Sequence, residues 1–140
     1  MAKSDVLYIP ARYDAFGANF TNADGTTIKT LYSVPADDAN LLQLIITSTD
    51  TVAADLLFYV SIEGLDYCIG HIDIPANAGT NGTAIAVDGL NNAMPTLFDD
   101  TTLNKYLPLN GGTIIKAGML SAVSATKTVT VYGIVGDYTL

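Results

Sequence analysis

The chain has 140 residues, 49% of them hydrophobic and 14% charged, which suits a single domain with one sizeable core and rules out wholesale disorder. Six Lys and Arg against 14 Asp and Glu leave a net charge of −8, so a polyanion meets a repulsive field and nucleic acid is disfavoured as a partner. The single cysteine, Cys68, excludes an internal disulfide framework and a four-cysteine zinc site.

The N-terminal Met-Ala-Lys-Ser-Asp leads into no signal-type apolar core, and no later stretch approaches the ~20 apolar residues of a membrane helix. The expectation is a protein that works without crossing a membrane by the usual secretion route. Residues 1–18 hold Tyr8, Ile9, Pro10, Tyr13 and Phe16 without a sustained period, together with the only arginine, Arg12. This segment reads either as an extended arm that grips a neighbour or as a frayed terminus. On the arm reading Tyr8, Ile9, Arg12, Tyr13 and Phe16 are the partner-binding residues, Pro10 discourages central pairing in a sheet, and residues 19–140 form the folded domain.

From Asn19 onward, runs rich in Val, Ile, Leu, Thr and Tyr alternate with the turn dipeptides Asp24-Gly25, Asn81-Gly82, Asp88-Gly89, Asn110-Gly111 and Gly111-Gly112. Strands are expected near 26–34, 41–48, 55–63, 66–74, 83–87, 104–109, 113–121 and 126–135, with at most one helical turn around Val87 to Ala93 that Pro95 would end. About eight strands in this length predict an all-β, jelly-roll-like antiparallel β-sandwich.

Alternation assigns the faces. Leu42, Leu44 and Ile46 are expected inward with Gln43, Ile45 and Thr47 outward. Leu56, Phe58, Val60 and Ile62 are expected in the core, as are Val129, Val131 and Val135 of the last strand. For the hairpin between 55–63 and 66–74, a two-residue turn at Gly64-Leu65 would set apolar faces beside polar ones. A three-residue loop pairing Ile62 with Asp66, Val60 with Cys68 and Leu56 with Ile72 restores the match.

The chemistry-bearing residues are few. Cys68 and His71 lie three apart on a strand and cannot converge without a bulge, so Cys68 reads as core and His71 as surface. His71 and Asp73 share a face but lack a nucleophile. Asp37-Asp38 and Asp99-Asp100 fall in expected loops without the spacing of a calcium loop, and Glu63 is the only glutamate. Asn19-Phe20-Thr21 and Asn81-Gly82-Thr83 match a glycosylation pattern without a secretion signal. The glycine-rich Pro75 to Ala84 lacks the Gly-Lys-Ser/Thr ending of a phosphate loop and reads as a connection crossing between sheets. No catalytic residue, cofactor or metal site is assigned, and an enzyme is not expected.

Several stretches carry a family resemblance: Thr47-Ser48-Thr49-Asp50-Thr51, Ile74 to Thr83, Tyr106-Leu107-Pro108-Leu109, Lys127-Thr128-Val129-Thr130-Val131 and the closing Gly136-Asp137-Tyr138. Over residues 20 to 138 the chain resembles small virion proteins of tailed bacteriophages, of the capsid decoration or cement type. The resemblance implies a structural protein, made in the host cytoplasm and carried on the capsid exterior. It would be a homotrimer that binds the major capsid protein and stabilises the head, with no catalytic residues to carry over. The alternative class is a head-fibre or tail-associated carbohydrate-binding β-sandwich module, with Tyr59, Tyr67 or Tyr132 as a stacking platform.

Overall fold

The computed structural model describes residues 12–90, 98–99 and 105–137. Among the described residues ten strands run in chain order: β1 (Arg12–Thr21), β2 (Lys29–Ser33), β3 (Ala39–Ser48), β4 (Ala54–Ile62), β5 (Leu65–Ile74), β6 (Val87–Asp88), β7 (Phe98–Asp99), β8 (Lys105–Leu109), β9 (Ile114–Met119) and β10 (Thr128–Asp137). They form two packed antiparallel sheets, a β-sandwich. One sheet has the order β1-β10-β3-β8-β7, with β6 also paired to β3, and the other has the order β2-β9-β4-β5.

Alternating apolar side chains from both sheets meet between them. Phe20, Leu41, Leu44, Ile46, Val129, Val131 and Val135 from the first sheet face Leu56, Phe58, Ile72, Ile74 and Ile115 from the second, and all are buried. The expected strands are present within a few residues of their predicted ends, except that the 83–87 segment contributes only the short β6. The predicted helical turn around Val87 begins as β6, Gly89 and Leu90 are helical, and its remainder from 91 lies outside the described residues. The glycine-rich connection from Pro75 to Ala84 does cross from the second sheet to the first, as expected.

Three findings correct the sequence reading. The first concerns the proposed arm. Residues 12–18 belong to β1, which pairs with β10 from Arg12↔Asp137 to Thr21↔Thr128, so the strand starts inside the segment assigned to the arm. Phe16 and Phe20 point into the core, whereas Ala15, Gly17 and Asn19 lie on the exposed face. Small residues between the aromatics hide the period. Phe16 also needs room that only glycine opposite it provides: it pairs with Gly133, where a Cβ would overlap its ring. The first eleven residues lie outside the described residues.

The second correction is in β3. Gln43 pairs with Ile134 but Leu41 pairs with Val135, so Leu42 is an extra, bulged residue. The bulge turns the early part of the strand over. Leu41 is fully buried and Leu42 only half-buried, the reverse of simple alternation, while Leu44 and Ile46 keep their inward places.

The third lies in the β4–β5 hairpin. The loop is the two residues Glu63 and Gly64, both at positive φ (53° and 82°), with Ile62 paired to Leu65. Both central residues in the left-handed region match the right-handed twist of the strands they join. The frame shift that the sequence requires occurs six residues later. Phe58 pairs with Gly70 but Tyr59 pairs with Cys68, which leaves Ile69 bulged. Beyond the bulge Leu56 pairs with Ile72 as predicted, whereas Val60 pairs with Tyr67 and not Cys68.

Candidate interaction surface

The short turn and the late bulge together expose the first half of β5. Val60 and Ile62 of β4 face the other sheet, and their partners Tyr67 and Leu65 share that inward side. At this corner the opposite sheet does not cover them. Ile62 is 47% exposed, Leu65 61%, Tyr67 50% and the bulged Ile69 39%, although each has the character of a core residue. Between them and Leu107, Pro108 and Leu109 of β8 runs an apolar groove of about 200 Å³. β5 is also the last strand of its sheet, so its outer edge has no strand partner among the described residues. Unpaired edge backbone beside an apolar groove is what strand addition requires.

On the outward side of the same edge stand Asp66, Cys68, His71 and Asp73. The Ile69 bulge places Cys68 opposite Tyr59 and His71 opposite Leu57, so both lie on the outer face. Cys68 is therefore exposed, not core, with its thiol directed at the Gly70 carbonyl at 3.7 Å. Asp66 accepts from Lys116 Nζ at 3.0 Å; that bond, with a second from Ser61, holds its carboxyl below the usual range.

His71 is a surface residue as expected, and β4 adds a partner that spacing along one strand does not reveal. Its Nε2 lies 3.1 Å from Asp55 Oδ1 and 3.5 Å from Asp73 Oδ1. Asp55 and Asp73 are directly opposed across the strands, a like-charge pair with the His71 imidazole within 3.5 Å of both carboxylates. The three donor atoms lie within 4.8 Å of one another, close enough for one divalent cation to touch all three. The side chains are 43 to 85% exposed, the ordinary environment of a surface ion pair. Cys68 is not among the grouped donors.

The other residues singled out above scatter. Arg12 and Tyr13 are exposed at the start of β1, where the guanidinium lies 3.5 Å from Asp14 Oδ2. Phe16 is buried against Tyr32, with ring centroids 5.8 Å apart, so its side chain is committed to the sandwich. Tyr8 and Ile9 lie outside the described residues. The three candidate sugar-stacking tyrosines do not share a surface: Tyr59 lies on the outer face of one sheet, Tyr132 on that of the other, and Tyr67 in the groove. Asp37 and Asp38 are exposed, and Asp38 accepts from the Gly111 N–H at 3.0 Å, a loop contact. Asp100 and the side chain of Asp99 lie outside the described residues.

At the far end of the sandwich from the groove, a buried carboxylate ties three connections together. Asp50 is 3% exposed and accepts from the N–H of Val52 (3.0 Å) and of Ser124 (2.9 Å). Its own carbonyl accepts from Asn77 N–H at 2.8 Å. Burial alone would raise its pKa, but the Ser124 and Val52 donors to the carboxylate, with the Lys127 charge, hold it below the ordinary value. No family model matches the chain, and no curated protein matches it.

Proposed function

We propose that the chain is a structural virion protein, a decoration or cement protein that binds the major capsid protein lattice on the capsid exterior as a homotrimer. The observation that carries this reading is the open corner of the sandwich, where four large apolar side chains of core character stand in solvent on a body of net charge −8. Exposed apolar surface of this kind is a protein-binding surface, because leaving it in water costs stability that contact with a partner recovers.

Two further features support it. Three of the five segments that carry the family resemblance meet in space: Ser48 N–H bonds to Ala78 O, Thr49 N–H to Thr128 O, and Asn77 N–H to Asp50 O. They act as mutual braces of one end of a scaffold, which suits a load-bearing shell component. The strand order β1-β10-β3-β8 facing β2-β9-β4-β5, with early strands alternating between the sheets, favours the jelly-roll form of the sandwich. The protein works in this reading by binding alone, as an assembly component made in the host cytoplasm and without catalysis, cofactor, nucleic acid or membrane.

The test is co-sedimentation of the purified full chain with capsid shells of a phage whose head carries it, followed by imaging of the decorated particles. Saturable binding at regular lattice positions is expected. Shells that sediment without the chain, or binding to a glycan array in place of shells, would overturn the reading.

A further inference from the structure

In a β-sandwich the inward side chains of each strand are normally covered by the opposite sheet. Over Leu65, Tyr67 and Ile69 they are not, and the groove between them and β8 is a slot left open in the edge of the core. An occupant has to be apolar and extended, with backbone groups free to pair with the β5 edge. Val6-Leu7-Tyr8-Ile9, bounded by Pro10 and two residues short of β1, is an uncharged apolar run of β-forming residues.

We propose that this slot seats residues Val6–Ile9 of a second copy of the chain, so that copies join by exchanging N-terminal segments. This deepens the oligomer part of the proposed function and rests on it, but not on the capsid part.

The sheet register locates donor and acceptor. Arg12 pairs with Asp137, Asp137 with Ala39, and Ala39 with Leu109, which puts Arg12 and a residue lining the groove on one row across the first sheet. They therefore lie at the same end of the sandwich but on opposite sides of it, three strand spacings or about 14 Å apart. Ile9 and Val6 precede Arg12 by three and six residues, an extended reach of about 10 to 20 Å. In its own copy the run would have to cross the strand ends to reach the slot. A neighbour's run can lie along β5 and pair with its free edge.

A donor on one side and an acceptor on the other make a head-to-tail contact, which closes into a ring when the rotation permits, as a trimer does. Charge favours the same choice. Two bodies of net charge −8 repel when pressed face to face, whereas residues 6–10 bring no charge to the contact.

The test uses the full chain with Cys68→Ser, Leu65→Cys in the slot and one cysteine at each of positions 6 to 9 in turn. Mild oxidation is read on a non-reducing gel with counting of free thiols. The expected result is a ladder of covalent dimers and trimers from at least one position, absent without Leu65→Cys. Loss of thiols with monomer mobility would overturn exchange by placing the segment in its own slot. No bond from any position would overturn the seat altogether. Light scattering separates this from the broader reading. Tyr67→Asp and Ile69→Asp, both at exposed positions, should lower the solution mass roughly threefold. A mass unchanged by either variant overturns the seat while leaving the oligomer standing, and a wild-type chain that is monomeric overturns both.

Discussion

Asp50 gives the sharpest test of how the loops at one end of the sandwich are held. Its carboxylate accepts the N–H groups of Val52 and Ser124 from two different connections, and the residue is 3% exposed. A hydrogen bond to a charged group contributes about 1.5–3 kcal/mol. Val52 is itself exposed and can turn its N–H to water, whereas Ser124 is half-buried. Asp50→Ala is therefore expected to cost about 2–4 kcal/mol, less than two full bonds. Asp50→Asn keeps an acceptor for one N–H but offers a donor to the other, and should cost about 1–3 kcal/mol. The second variant also has a pH signature. The folded pKa of Asp50 lies below its ordinary value of 3.8, so its charge contributes in full well above that value and the contribution is lost as pH falls through the folded pKa. Urea unfolding of both proteins at pH 7 and again near pH 2 should give a stability gap that narrows in acid. Taking the difference between the two proteins cancels the titration of every other acid. A gap of the same size at both pH values, or an Asp50→Ala variant as stable as wild type at pH 7, would refute the reasoning.

Phe58→Ala should cost about 3–5 kcal/mol, because the ring is fully buried in mid-strand and its loss leaves a cavity; His71→Ala should cost about 0.5 kcal/mol, and equal denaturation midpoints would contradict the face assignment. Gly133→Ala should cost about 1–3 kcal/mol, since its Cβ overlaps the Phe16 ring. Combining it with Phe16→Leu should cost less than the sum of the two single losses, and strict additivity by urea titration would mean that the two residues do not compete for space.

Strand positions were legible because runs of Val, Ile, Thr and Tyr end at Asp-Gly and Asn-Gly turns, and burial of Leu56, Phe58, Val129, Val131 and Val135 followed from period two alone. The strand at 12–21 was not, since its inward residues, Phe16 and Phe20, are separated by Gly17, Ala18 and Asn19. Its place depends on Gly133, more than a hundred residues away. A local window contains no trace of that complementarity. The turn was missed for a different reason. A two-residue loop with both residues at positive φ favours Asn or Gly at its first position, and here Glu63 occupies it.

The candidate surface depended on where one extra residue sits. The sequence requires an odd residue somewhere between Ile62 and Ile72 to keep apolar faces together, and that requirement is met. A loop and a bulge satisfy it equally at Leu56 and Ile72, but they differ in everything between. With the extra residue in the loop, Cys68 would pair with Val60 and point into the core. With it at Ile69, Cys68 turns outward to join the face of His71, while Leu65 and Tyr67 turn inward at a corner the other sheet does not reach. The bulge thus brings a small core-type residue to the surface and gathers Leu65 and Tyr67 on an inward face that the other sheet does not cover, an unfavourable outcome for an isolated molecule. Seating an apolar strand from another copy in the groove is the arrangement that would offset it, which is why the cross-linking experiment bears on the fold as much as on the assembly.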